Sequence, residues 1–248
     1  MQCKNCNTEF TDSYCPNCGQ SATVRRFEWH HIVNQVIETI GYDRGLFHTL
    51  YLLVVRPGIS IRNYIEGKRI GFASPFKLVL IVGAFTNYLT FTYDSFAAVN
   101  PEEALNISLP FAQEYFKYSM KYFSFFSLNG ALLFTFFSWI FFKKLNYNII
   151  EHFIFNLYVV AGQFLLMIAF VPIIYHSNDS MISIWIYGIF NFIYNLWALV
   201  TFAGYSRAGL IKAIFAVGIP SYIAPYFGYV VFYFSPKGLW TVLDNVLG

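Results

Sequence analysis

IIEHFIFNLYVVAGQFLLMIAFVPIIY, residues 149–175, carries a single charged side chain, Glu151, and that one lies near its start. At about 1.5 Å of rise per residue a helix of this length reaches roughly 40 Å, more than the ~30 Å hydrocarbon core of a bilayer. Lipid gives backbone amides no partner, and the stretch lacks the alternation of a barrel strand, so it reads as a transmembrane helix. Four further windows share this character: about Pro75–Tyr93, Phe123–Phe142, Met181–Gly204 and Leu210–Phe234. The composition agrees, with 57% hydrophobic and 12% charged residues, against about 25% charged in a soluble domain. Aromatic residues make up 21% of the 248, which suits lipid-facing and interfacial positions. One shorter apolar run, Leu46–Val55, is too short to span and reads as an interfacial or bundle-docked helix.

The placement of charge orients these spans. Nine cations, among them Arg56, Arg62, Lys68, Arg69 and Lys77, lie at or before the start of the first span, and Lys143, Lys144, Arg207 and Lys212 fall in alternate loops. The opposite side holds Lys117, Lys121 and Lys237. Because positive flanks are retained in the cytoplasm, the 13 to 3 division predicts a cytoplasmic amino terminus, five spans and an outer carboxyl terminus. The first 40 residues show no basic start followed by an apolar stretch and a small-residue cleavage site, so the first span is expected to act as an uncleaved anchor. In a bacterium this is an inner-membrane protein.

The amino terminus carries different chemistry. Cys3-Lys4-Asn5-Cys6 and Cys15-Pro16-Asn17-Cys18-Gly19 contain all four cysteines of the chain. Each CxxC forms a turn whose amides point at its sulfurs, and two such knuckles supply a tetrahedral set for Zn²⁺. Gly19, and Asn7 at the matching place, accept the positive φ that follows the second ligand of a knuckle. Two disulfides or a redox CxxC are weaker readings in a reducing compartment without a βαβ context. Four thiolates leave no open coordination position, which makes the zinc structural, and metal binding supplies the folding free energy of so small a segment. Lys4 is offset by Glu9 and Asp12, so nothing in the ribbon's charge supports nucleic-acid binding.

Between ribbon and bundle, Trp29, Val33, Val36, Ile37 and Ile40 recur at helical spacing opposite Glu28, His31, Gln35 and Glu38, which predicts an amphipathic helix that packs on the bundle, the membrane surface or a partner protein. The cations Arg56, Arg62, Lys68, Arg69 and Lys77 then mark headgroup depth. They read either as topology-setting flanks or as a docking site for lipid phosphate or another anion. Pro57 and Gly58 break the preceding helix, Ser60–Glu66 can form two turns, and Gly67 can end them.

These elements carry a resemblance. The CxxC and CPxCGQ of Cys3–Gln20, with the RPG, YIEGKR and SPFK elements within Arg56–Lys77, resemble a family of uncharacterised bacterial membrane proteins found mostly in Bacteroidetes, a domain of unknown function. The resemblance covers the first 80 residues closely. It implies the same architecture and brings no reaction or partner.

Within the spans, His152, Asn156 and Gln163 share one face of the third, and Asn191 and Asn195 one face of the fourth, while Gly218, Pro220, Pro225 and Gly228 interrupt the fifth. A polar face opposite a broken helix suits a transporter's midplane site; Asn and Gln also tie helices together. No Asp, Lys or Arg lies deep in any span, which argues against ion coupling. Glu151 and His152 are adjacent, hence about 100° apart on a helix, and form no HExxH-type pair; no phosphate-cradling loop is present. In the outer loop, Asn100-Pro101-Glu102-Glu103 is a helix start.

The expectation is an all-α membrane protein: a zinc ribbon over residues 1–20, amphipathic and interfacial helices over 21–74, a five-helix domain over 75–234 and a tail over 235–248. Its expected role is a non-enzymatic adaptor, assembly or lipid-organising factor, with a transporter or channel for a neutral or lipid-like solute as the alternative. Its expected partners are membrane lipids, anionic ones included, and a protein engaged through the ribbon or the amphipathic helix.

Overall fold

A computed structural model describes residues 1–23, 45–93, 115, 118–119, 121–177 and 180–234. The amphipathic segment at Trp29–Ile40, the outer-loop helix start at Asn100 and Lys237 lie outside the described residues. Among the described residues seven α-helices follow one another: α1 Leu46–Val55, α2 Pro57–Ile65, α3 Pro75–Thr92, α4 Phe123–Phe141, α5 Ile149–His176, α6 Ser180–Ala203 and α7 Arg207–Tyr233. A single 3₁₀ turn, Lys143–Leu145, links α4 to α5. Among the described residues there is no strand beyond two isolated bridges in the cysteine-rich segment. Helices α3 to α7 are each long and apolar enough to cross a membrane.

The longest helix, α5, organises the bundle. Its window of mean hydropathy 2.3 is 56% buried, against 22% for α4 and for α7, because α1, α2, α3, α4 and α6 all pack on it. Its start is fixed by a capping box: Asn148 Oδ1 accepts from the Glu151 amide at 2.8 Å, and Glu151 Oε2 accepts from the Asn148 amide at 2.8 Å. Ring pairs run parallel up α3 and α5, from Phe76–Phe153 at 6.3 Å to Tyr93–Tyr175 at 5.2 Å. Helices α3, α5 and α7 all begin at one end of the bundle, the basal end.

Large apolar side chains cover the outside of the bundle, among them Leu80, Phe85 and Phe91 on α3 and Ile182, Trp185 and Ile189 on α6. A soluble protein does not expose so continuous an apolar surface; hydrocarbon is the solvent it fits. The charged residues of the five spans, Lys77, Glu151, Arg207 and Lys212, all fall within the first six positions of their helices, at the basal end.

Helix α7 departs from the sequence reading. Pro220 and Pro225 lie inside it, yet it runs unbroken from Arg207 to Tyr233. Side chains add bonds to carbonyls around the prolines. The Ser221 hydroxyl donates to Val217 O at 2.7 Å, and the Tyr115 hydroxyl donates to Pro225 O at 3.1 Å.

Helices α1 and α2 form a hairpin wedged into the basal half of the bundle. Thr49 Oγ1 accepts from the Ala73 amide at 2.8 Å, fixing the start of α1 beside the chain that leads into α3. Further along, Leu53 O accepts from the Tyr194 hydroxyl at 3.2 Å. Tyr194 lies nine residues before the end of α6, about 14 Å from that end. Its hydroxyl presses on Gly162 of α5, where an added Cβ would stand 1.8 Å away. The chain then turns at Arg56 and returns toward the basal end as α2, six of whose nine residues are buried. Gly58 crosses α6 so closely that a Cβ there would lie 2.1 Å from Ala198 O and 2.3 Å from Phe202 N. Of the two readings left open for Leu46–Val55, the structure selects bundle docking, with Phe47, Tyr51 and Val54 facing outward.

Candidate functional site

The cysteine-rich segment is two copies of one knuckle. Cys3 N donates to Thr8 O at 3.0 Å and Asn7 N to Cys3 O at 2.9 Å, while Cys15 N donates to Gln20 O and Gly19 N to Cys15 O, both at 2.8 Å. Asn7 and Gly19 take the left-handed conformation at φ 61° and 76°. Cys3, Cys6, Cys15 and Cys18 present sulfurs that all lie within 4.8 Å of one another. The closest pairs, Cys3–Cys18 at 3.5 Å and Cys6–Cys15 at 3.6 Å, are far beyond the ~2.05 Å of a disulfide. They approach the roughly 3.8 Å edge of a tetrahedron of sulfurs about 2.3 Å from a central ion.

Electrostatics favour a cation there. The Thr8 hydroxyl and then the Thr8 amide hold Cys6 down to about 5, and Cys3 is lowered first by the Cys6 amide. The Gln20 amide also pulls on Cys18, but burial and the neighbouring Cys6 and Cys3 sulfurs outweigh it and push Cys18 up to about 11. Successive thiolates at these spacings repel one another, and a metal ion at their centre removes the repulsion. The four-cysteine set could hold a metal ion.

The five cations Arg56, Arg62, Lys68, Arg69 and Lys77 do not form one cluster. Arg62 is committed to the bundle: its Nη2 donates to Thr201 O at 3.1 Å and to Phe202 O, the last carbonyls of α6. A guanidinium there satisfies carbonyls left without helical donors and lies at the negative end of the α6 dipole. Arg69 lies half-buried with its guanidinium 5.8 Å over the Tyr64 ring. Burial draws it below its ordinary value, partly offset by Tyr64, Tyr158 and Glu151. Arg56 is exposed at the tip of the hairpin, and Lys68 and Lys77 are half-buried. Nothing in the sequence marked the α6 carbonyls as the partner of Arg62, because they lie 139 and 140 residues away.

The intramembrane polar face resolves into two groups. Near the basal end, His152 Nδ1 is 3.1 Å from Ser138 Oγ of α4, and Asn156 Nδ2 donates to the same oxygen at 3.2 Å. His152 is fully buried, and its Nε2 has no hydrogen-bond partner. At mid-span, Gln163 Nε2 donates to Asn195 Oδ1 at 3.0 Å, Asn195 Nδ2 donates to Asn191 Oδ1 at 2.7 Å, and Asn191 Nδ2 donates to the Tyr187 hydroxyl at 3.0 Å. Tyr187 and Ser138 were missed in the sequence, since a Tyr or Ser inside an apolar span does not stand out.

Beside the mid-span chain is a cavity of about 680 Å³ between α4, α6 and α7. Gln163, Asn191 and Tyr187 lie in its wall with Phe126, Phe134 and Phe192, and none of its lining residues is an acid, Lys, Arg or His.

Residues 43–86, which run from just before α1 into α3, match a family described as a protein of unknown function, DUF3667. No curated protein and no solved structure matches the chain. The matched segment contains the α1–α2 hairpin and its Gly58 and Arg62 contacts with α6.

Proposed function

We propose that the chain is a non-enzymatic adaptor, assembly or lipid-organising protein of a bacterial inner membrane, with its amino terminus in the cytoplasm and its carboxyl terminus outside. The observation that carries this reading is the mutual bonding of the mid-span amides: Gln163, Asn195 and Asn191 bond to one another and to Tyr187, and no charge lies beside them. Such a chain ties helices together and offers neither a proton relay nor an ion path.

On this reading the four cysteines hold Zn²⁺ structurally, and the ribbon or the amphipathic helix recruits a protein partner. Lys68, Arg69 and Lys77 face anionic headgroups, while Arg62 is taken up by α6 and Arg56 stands apart at the hairpin tip. The resemblance of Cys3–Gln20 to the Bacteroidetes family adds the cysteine-rich segment to the match at residues 43–86. Affinity purification of the full chain from native membranes, with protein and lipid mass spectrometry, tests the adaptor role. A protein recovered with the wild type and lost with Cys6→Ser supports it. The same proteins recovered from both remove the ribbon as the recruiting element, and no protein recovered with the wild type refutes the adaptor role.

A second reading rests on a separate observation, the cavity of about 680 Å³ that opens beside Gln163 and Asn191. It suits a protein that binds or moves a neutral, lipid-like solute. Reconstituted vesicles that show no solute-specific flux would remove transport while leaving binding to be measured.

A further inference from the structure

We propose that the cavity between α4, α6 and α7 binds a membrane quinone, with its ring held at mid-span by Gln163, Asn191 and Tyr187. The proposal rests on the second reading above and names its ligand. Depth is the first argument. Gln163 lies 14 residues after Ile149 and 13 before His176, so about 20 Å of helix extends either way. Asn191 is likewise central in α6. A lipid with a phosphate, ammonium or carboxylate head cannot place that head so deep among uncharged side chains. A neutral head whose natural place is the hydrocarbon interior can.

Hydrogen bonding narrows the class. Gln163 spends one amide proton on Asn195, and Asn191 spends one on Tyr187, so each amide nitrogen retains a second proton. The Tyr187 oxygen accepts from Asn191 and keeps its own proton to donate. Three residues with an unspent donor therefore line the cavity, and the complementary head is one that accepts without donating. A quinone offers two carbonyl oxygens and no proton, whereas a diacylglycerol brings a hydroxyl of its own. The walls suit a flat ring, since Phe126, Phe134 and Phe192 line the same space. Its volume falls within the roughly 300–1,000 Å³ of small-molecule sites. Gly130 and Gly188 keep the cavity wide, for nothing lies within 4 Å of where either would carry a Cβ.

The test uses the full chain in lipid nanodiscs, with 2-decyl-1,4-benzoquinone as probe and quenching of Trp185, which lines the cavity, as readout. Saturable quenching is expected, reduced in Trp185→Phe. The Kd should rise at least tenfold in Gly188→Phe and in Gly130→Leu, and several-fold in Gln163→Leu. Unchanged melting temperatures of the two glycine variants in nanodiscs would show that they fold, and a cooperative transition would show it for Gln163→Leu. Decylbenzene, which lacks the carbonyls, should compete at least tenfold more weakly. Equal competition by decylbenzene would overturn the quinone assignment and leave an amphiphile cavity standing. Absent saturation, or a Kd unmoved by both glycine substitutions, would overturn the site itself.

Discussion

Replacing Gly58 by Ala is the most direct challenge to the hairpin. The new Cβ would stand 2.1 Å from Ala198 O, 2.2 Å from Thr201 Oγ1 and 2.3 Å from Phe202 N. Two of these atoms are backbone and cannot rotate away. To regain an ordinary contact of about 3.4 Å, α2 must retreat by roughly 1.3 Å from α6. Overpacking of this kind costs about 1–3 kcal/mol. The retreat also pulls Arg62 from the Thr201 and Phe202 carbonyls, and hydrogen bonds of a charged donor contribute about 1.5–3 kcal/mol each when buried, less for a half-buried side chain. A loss of about 3 kcal/mol is expected, read as reversible unfolding in mixed micelles. Because one displacement damages both contacts, Gly58→Ala and Arg62→Ala should be non-additive by at least ~1 kcal/mol. Gly188→Ala is the internal control: with open space around it, it should be neutral or slightly stabilising. If Gly58→Ala lies within about 0.5 kcal/mol of wild type and adds to Arg62→Ala, the hairpin does not dock as described.

Three further outcomes follow from the same structure. Cys6→Ser, or a strong chelator, should take bound metal from one equivalent to none and collapse the amide dispersion of residues 1–22 in NMR spectra, with the helical circular dichroism of the bundle retained; retained dispersion would mean that the segment folds without metal. Asn195→Leu breaks the bonds to Gln163 and Asn191 and should cost about 0.6–2 kcal/mol in mixed-micelle unfolding, and no measurable loss would remove the tie between α5 and α6. An alkaline phosphatase fused after Gly248 should be active and one fused after Lys144 inactive, and the reverse pattern would overturn the orientation drawn from Lys and Arg.

The spans were legible because each is long, apolar and bounded by polar residues. Phe123–Phe141 and Pro75–Thr92 each end within one residue of the boundaries read from hydropathy. The short run Leu46–Val55 was read to the residue, though only its packing decided between docking and lying at the interface. The left-handed Asn7 and Gly19 follow from local knuckle geometry, which a dozen residues suffice to specify. Arg62, Tyr194 and Gly58 were opaque for the opposite reason: each acts on a partner well over a hundred residues away, and no local pattern encodes a helix crossing. The prolines of α7 misled because a spanning helix packed in a bundle tolerates them, with side chains such as Ser221 and the phenol of Tyr115 bonding carbonyls nearby.

The docking of the hairpin also sets an order of events during synthesis. Arg62 emerges from the ribosome 140 residues before Phe202, a delay of about 7–28 s at roughly 5–20 residues per second. Until α6 follows, α1 and α2 have only the earlier helices α3 and α5 to pack on and lack the α6 surface that Gly58 and Arg62 contact. A nascent chain stalled before α6 therefore displays an apolar hairpin with a half-built binding surface, which is the kind of segment that membrane proteases and insertion factors handle.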